Sequence, residues 1–113
     1  MDLITIMEKA LNVRARNQKV IASNISNVDT PGYKQKEIDF SSELERQLGQ
    51  SKDVEVRVAE KPSEGYERLD ENTVDLEEQV MRMTENSLYY DALVQTISKR
   101  FSMMKYVIGE GKR

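Results

Sequence analysis

Apolar residues recur every seven positions through residues 75–108, and only a helix places such residues on one side. One row is Leu76, Met83, Tyr90, Ile97 and Met104; the interleaved row is Val80, Ser87, Val94, Phe101 and Ile108, apolar but for Ser87. Asp75 fits an N-cap with Glu78 completing a capping box, and Gly109 fits the left-handed residue that ends a helix. Asp75, Glu77, Glu78 and Glu85 lie toward the positive end of the helix dipole, and Lys99, Arg100 and Lys105 toward the negative end. At 1.5 Å per residue this helix is roughly 50 Å long. A helix of that length with a continuous apolar stripe requires a partner along it.

Residues 3–27 supply one. Ile4, Met7, Leu11, Ile21, Ile25 and Val28 share a seven-residue seam, broken by Arg14 and Gln18. Beside it Leu3, Ile6, Ala10, Val13 and Val20 form a second stripe, so the apolar arc is wider than one partner helix covers. The C-terminal helix has the same surplus in Met81, Leu88, Tyr89, Leu93, Met103 and Val107. Taken singly, a few extra apolar positions are ordinary for a small bundle. Taken together they point to contacts between chains. The expected fold is mainly α, with long N- and C-terminal helices in an antiparallel coiled-coil-like layer.

Composition narrows the function classes. In 113 residues, 33% are charged and 38% hydrophobic, which is lean for a compact core. Cysteine, histidine and tryptophan are absent. The commonest general base, the thiol nucleophile and the usual transition-metal ligands are therefore missing, and an enzyme is not expected. No cofactor or metal is expected either: Asp70, Glu71 and Asp75 lack the spacing of a calcium loop. No apolar run reaches the length of a membrane span, and Glu8 and Lys9 interrupt the start before a signal-peptide core could form. The reading is of a soluble, unprocessed chain without direct membrane insertion. Charge is segregated: residues 1–36 carry six Lys or Arg against three Asp or Glu, residues 37–91 six against sixteen, and residues 92–113 five against one. Without basic-aromatic interleaving, these basic ends point to the acidic middle of a neighbouring chain and not to nucleic acid.

Three segments follow: residues 1–34 as helix and turn, 35–72 as an irregular acidic middle, and 73–113 as the long helix, with the helical ends forming one domain. Pro31 and Gly32 fit the central positions of a type II turn, and the proline pushes Thr30 to an extended conformation. Asn24, Asn27 and Asp29 can bond backbone groups freed at the helix end. In the middle, Ser42 with Glu45 predicts a short helix through Leu48, ending at Gly49. Val54, Val56 and Val58 alternate as one short strand, without a partner to make a sheet. Residues 61–72 read as a loop.

The run Asn24-Ile25-Ser26-Asn27-Val28-Asp29-Thr30-Pro31-Gly32-Tyr33, following a helix about 30 residues from the start, resembles the signature of bacterial flagellar axial proteins of the rod and hook. The resemblance resumes at Asn72-Thr73-Val74-Asp75-Leu76-Glu77-Glu78 and continues through Tyr89-Tyr90. Short length and the Lys36-Glu37-Ile38-Asp39-Phe40 segment make the chain most similar to the short proximal rod members of that family. The resemblance implies a structural subunit that packs its terminal helices against copies of itself and other rod proteins and transmits motor torque. It implies the MS ring or its adapter and the flagellar type III export apparatus as further partners. It also implies a place in the periplasmic part of the basal body, reached without a cleaved signal peptide. Asn24, Asn27, Asp29, Thr30, Pro31, Gly32 and Tyr33 would set the turn. Ile4, Met7, Leu11, Ile21 and Ile25 would pack opposite Leu76, Val80, Met83, Tyr90, Val94, Ile97, Phe101, Met104 and Ile108. A soluble helical-hairpin regulator or export chaperone would explain the seam equally well, but not the Thr-Pro-Gly-Tyr run.

Overall fold

The computed structural model describes residues 2–50, 54–62 and 68–111. Two long helices dominate it, α1 (Leu3–Ser26) and α3 (Leu76–Gly111), and between them lie β1 (Lys36–Glu37), α2 (Phe40–Leu48) and β2 (Ala59–Glu60). The molecule is 70 Å long and 26 × 18 Å across. α1 and α3 run antiparallel: Asn24 near the end of α1 meets Gln79 near the start of α3, and Leu3 and Ile4 share a groove with Met104 and Ile108.

Local signals start and stop these elements. Asp2 caps α1, its carboxylate accepting the Thr5 amide at 2.8 Å. α1 ends at Asn27, whose backbone amide donates to the Ser23 carbonyl at 3.1 Å and whose side-chain amide adds a second bond to the same oxygen at 2.8 Å. Asp75 caps α3 through the Glu78 amide at 3.3 Å, but the reciprocal half of the expected capping box is absent. The Asp75 amide instead donates to the Gln35 side chain at 3.0 Å, and the Glu78 carboxylate turns to Lys61 and Arg82. Gly109 does not end the helix, which runs to Gly111: its backbone stays right-handed, because no packing there forces the chain to turn.

The middle segment is better defined than expected. Asp39, not Ser42, caps α2, which begins at Phe40: its two carboxylate oxygens take the Ser42 amide at 3.2 Å and the Ser42 hydroxyl at 3.1 Å. Gly49 does close the helix, in a right-handed conformation that any residue can adopt. The expected strand over Val54, Val56 and Val58 does not form; the strand lies just beyond it, where Glu60 pairs with Lys36 and Ala59 with Glu37 in a two-stranded antiparallel ladder. Those valines alternate in burial as predicted, Val54, Val56 and Val58 half-buried and Glu55 and Arg57 exposed. Part of the expected loop, residues 63–67, lies outside the described residues.

The hydrophobic core is small: among the described residues its buried apolar members are Ala10, Val13, Val20, Ile21, Ile38 and Val74. One cluster of it, Val13, Val20 and Ile38 with Phe40, Val56 and Val58 packed against them, lies on the side of α1 away from the α3 seam. Thus the second stripe of α1 faces the middle segment. Ionic and amide groups secure that layer. Glu43, 2% exposed, is held by Arg57 at 2.7 Å and Arg46 at 3.0 Å, and Gln47 clasps both backbone groups of Val54. Burial alone would raise the Glu43 carboxyl's pKa, but the hydrogen bonds from the two arginines outweigh it and hold the group below its ordinary value.

Candidate assembly interface

At the base of the molecule, where α1 ends and α3 begins, polar side chains fill positions that a helical pair usually gives to leucine. Asn24 is fully buried, and its amide makes four hydrogen bonds. Its oxygen accepts from the Tyr33 hydroxyl and the Lys36 amide, both at 3.0 Å, and its nitrogen donates to the Lys36 carbonyl at 2.8 Å and to Gln79 Oε1 at 2.9 Å. Every donor and acceptor site of that side chain is used. A second buried asparagine, Asn72, donates to the Asn27 carbonyl at 2.9 Å and the Thr30 carbonyl at 2.7 Å and accepts from the Val74 amide at 2.8 Å.

These bonds join the two stretches that stand out in the sequence. Gly32 donates to the Asp70 carbonyl at 2.7 Å, Thr73 to the Tyr33 carbonyl at 3.0 Å, and the Gln35 amide to the Thr73 hydroxyl at 2.8 Å. The Thr30-Pro31-Gly32-Tyr33 turn closes through the Tyr33 amide on the Thr30 carbonyl at 3.2 Å, with Gly32 at φ +75°. That φ is where a side chain would be strained, and it marks a type II turn. Asp29, Thr30, Pro31 and Gly32 are exposed, whereas Tyr33 and Asn27 are half-buried, so the turn offers one face outward while its backbone is held from behind.

Farther along, the interruptions in the two apolar seams meet each other. Asn86, 2% exposed, accepts from Asn17 at 3.0 Å and Arg14 at 3.5 Å, and donates to the Arg14 carbonyl at 2.9 Å and Gln18 at 2.8 Å. Gln18 also reaches Ser87 at 3.3 Å. Arg14 is sandwiched between the Phe40 ring at 3.6 Å and the Tyr89 ring at 4.4 Å, tying α1 to both other helices. Burial lowers its pKa from the ordinary arginine value. Nothing in the periodicity singles out Asn24, Asn72, Gln79 or Asn86, although Arg14, Gln18 and Ser87 were visible as breaks in it.

The seam residues fall into two groups. On α1, Ile21 is buried, and Ile4, Met7, Leu11 and Ile25 are half-buried. On α3, Met83, Tyr90 and Ile97 are half-buried toward α1, in line with buried Gln79 and Asn86. Leu76, Val80, Val94, Phe101, Met104 and Ile108 are exposed, by 38% to 56%. Met81, Leu88, Met103, Tyr106 and Val107 are exposed still further. From Ser98 to Gly109 no residue of α3 is even half-buried. Its apolar arc is therefore left open within one chain, and a continuous apolar surface of that kind marks a contact with another molecule.

A family model described as flagella basal body rod protein matches residues 4–34, which are α1 and the turn. The flagellar basal body rod protein FlgB of Escherichia coli (strain K12) is 30% identical over 134 aligned positions, covering 96% of this chain and 94% of that protein. The chain belongs to the flagellar basal body rod protein family. The similarity extends to distant bacteria: FlgB of Bacillus subtilis (strain 168) is 28% identical, covering 94% of this chain and 92% of its own length, and FlgB of Aeromonas hydrophila is 30% identical at 93% and 92%. Because these matches span nearly the whole chain, the rod-protein assignment includes α3 and its open face as well as the turn. Membership of this rod family makes the chain a structural component of the flagellar basal body, not an enzyme. Among the described residues, no helix is long and apolar enough to cross a membrane.

Proposed function

We propose that this chain builds the proximal part of the rod by packing its terminal helices against copies of itself and against other axial proteins, and that the resulting tube transmits motor torque. The observation that carries this reading is the apolar arc of α3, exposed along most of a helix that its own chain covers only in part. Torque transmission requires stiffness. Helices packed side by side supply it through many small contacts, and no reactive group is needed. Contacts between unlike patches that do not close on themselves generate a helical array, the geometry of a rod.

In this reading the polar base fixes the angle and register of the two helices before assembly, and the open face is completed by neighbours. The MS ring or its adapter would receive the lowest copies, other rod proteins the uppermost, and the flagellar type III apparatus would export the chain to the periplasmic part of the basal body. The test is deletion of the gene in a motile host with plasmid complementation. The expected result is loss of hooks and filaments by electron microscopy and of swimming, both restored by the wild-type chain. Normal flagella in the deletion strain would overturn the reading.

A further inference from the structure

Two exposed apolar surfaces on α3 carry charge of opposite sign. The first is a groove of about 510 Å³ where α1 begins and α3 ends, lined by Leu3, Ile4, Met103, Met104, Val107 and Ile108 together with Arg100. Arg100 is the one charged residue of its lining. The second is a ridge on the outer side of the first half of α3, where Met81 is 71% and Leu88 67% exposed. These two residues are one heptad apart and so lie on one face. Glu77 and Glu85 flank the ridge, both exposed, and Arg82 on the same stretch is already engaged by Glu78 at 2.8 Å.

Ridge and groove cannot meet within one molecule. Their centres lie about 20 residues apart on one continuous helix, which is roughly 30 Å at 1.5 Å per residue. We propose that the groove of one copy receives the Met81–Leu88 ridge of a second copy, with Arg100 set against Glu77 and Glu85. This rests on the reading of the chain as an assembling subunit and names the surfaces that the assembly uses. Three features fit the occupant. An apolar helix face with anchors at heptad spacing is what a groove between two helices accepts. The charges are complementary in sign, which orients the pair and disfavours groove on groove or ridge on ridge. Each copy retains one unused ridge and one unused groove after pairing, so the contact is heterologous and repeats head to tail.

The test uses the full chain in two charge-reversed forms: Glu77→Lys with Glu85→Lys, and Arg100→Glu. Sedimentation velocity across a concentration series reads the association, and circular dichroism checks that each form keeps its helices. The wild-type chain should associate in open-ended steps that weaken about tenfold from low to high salt, since exposed charges are screened. Each reversed form alone should remain monomeric, because it places like charges together. An equimolar mixture of the two should associate again, each ridge now finding a groove of opposite sign. Association of either form at the wild-type level would overturn the proposal, as would a closed wild-type dimer or a wild-type chain that stays monomeric. If either variant loses helix content, Met81→Ser with Leu88→Ser, on the solvent side of α3, replaces it and should also abolish association. A chain that fails these tests but still restores swimming to the deletion strain would remain a rod subunit and lose only this contact.

Discussion

The base of the molecule and its far end are built from opposite materials. At the base, Asn24, Asn72, Gln79 and Asn86 are buried and most of their hydrogen bonds go to the backbone or to one another. At the far end, Phe101, Met103, Met104, Val107 and Ile108 stand in the open. The usual distribution, apolar inside and polar outside, is inverted along a single pair of helices. Buried amides demand one geometry, since a shifted register would leave them unpaired at a cost of several kcal/mol. Exposed apolar side chains demand no particular geometry until a partner arrives. The base therefore specifies shape and the far end offers adhesion.

Substitutions should separate the two regions, with the largest effect at the base. Asn24→Ala leaves the Tyr33 hydroxyl, both Lys36 backbone groups and Gln79 without their shared partner and should lower stability by about 3 kcal/mol or more, read by urea unfolding. An unchanged midpoint would show that the buried amide does not organise the base. Gly32→Ala should cost less, about 1–2 kcal/mol, because the space around that position is open and only the positive φ resists a side chain.

Acid should act on the base, through Glu78, and on the middle layer, through Glu43. The pKa values of Glu43 and Glu78 are both depressed in the folded chain: burial pushes each upward, but bonds from Arg57 and Arg46, and from Lys61 and Arg82, prevail. A depressed carboxyl contributes stability above its unfolded value of 4.5, and that contribution is lost as pH falls through the lower folded value. The melting temperature should drop on acidification below that point, and Glu43→Gln should flatten the dependence. The smallest effect on folding belongs to the far end. Phe101→Ser should change the stability of the dilute monomer by less than about 0.5 kcal/mol, since an exposed side chain has little packing to lose. The same variant should fail to restore swimming in the complementation assay. A large loss of monomer stability would mean that the face is already covered within one chain.

What could be read in the sequence follows the same division. Heptad spacing located both long helices, and Pro31 with Gly32 located the turn, because periodicity and special backbone angles are written locally. The partner of each stripe is not local. Val13 and Val20 belong to the stripe of α1 that packs on Ile38 and Phe40, but a stripe carries no mark of what it meets. Buried amides were the least legible part. Asn86 and Gln79 look like surface residues until α1 brings Asn17, Gln18 and Asn24 against them. Arg14, Gln18 and Ser87 were readable as breaks, yet only the antiparallel register shows that the breaks face one another. Asp39 is a local cap, passed over in favour of Ser42 three residues later, whereas the pairing of Lys36–Glu37 with Ala59–Glu60 depends on contacts made only after folding.

The central claim is that one chain has a self-sufficient base and an arm that neighbours complete, and hydrogen exchange along α3 tests it most directly. In the dilute full-length chain, amides of residues 79–90 should exchange slowly, near the limit set by global unfolding, while those of residues 98–109 exchange far faster through local opening. Raising the concentration to the point of association should slow the second group and leave the first unchanged. Uniform protection along the whole of α3 in the dilute monomer would contradict the account, because the far end would then be held by its own chain.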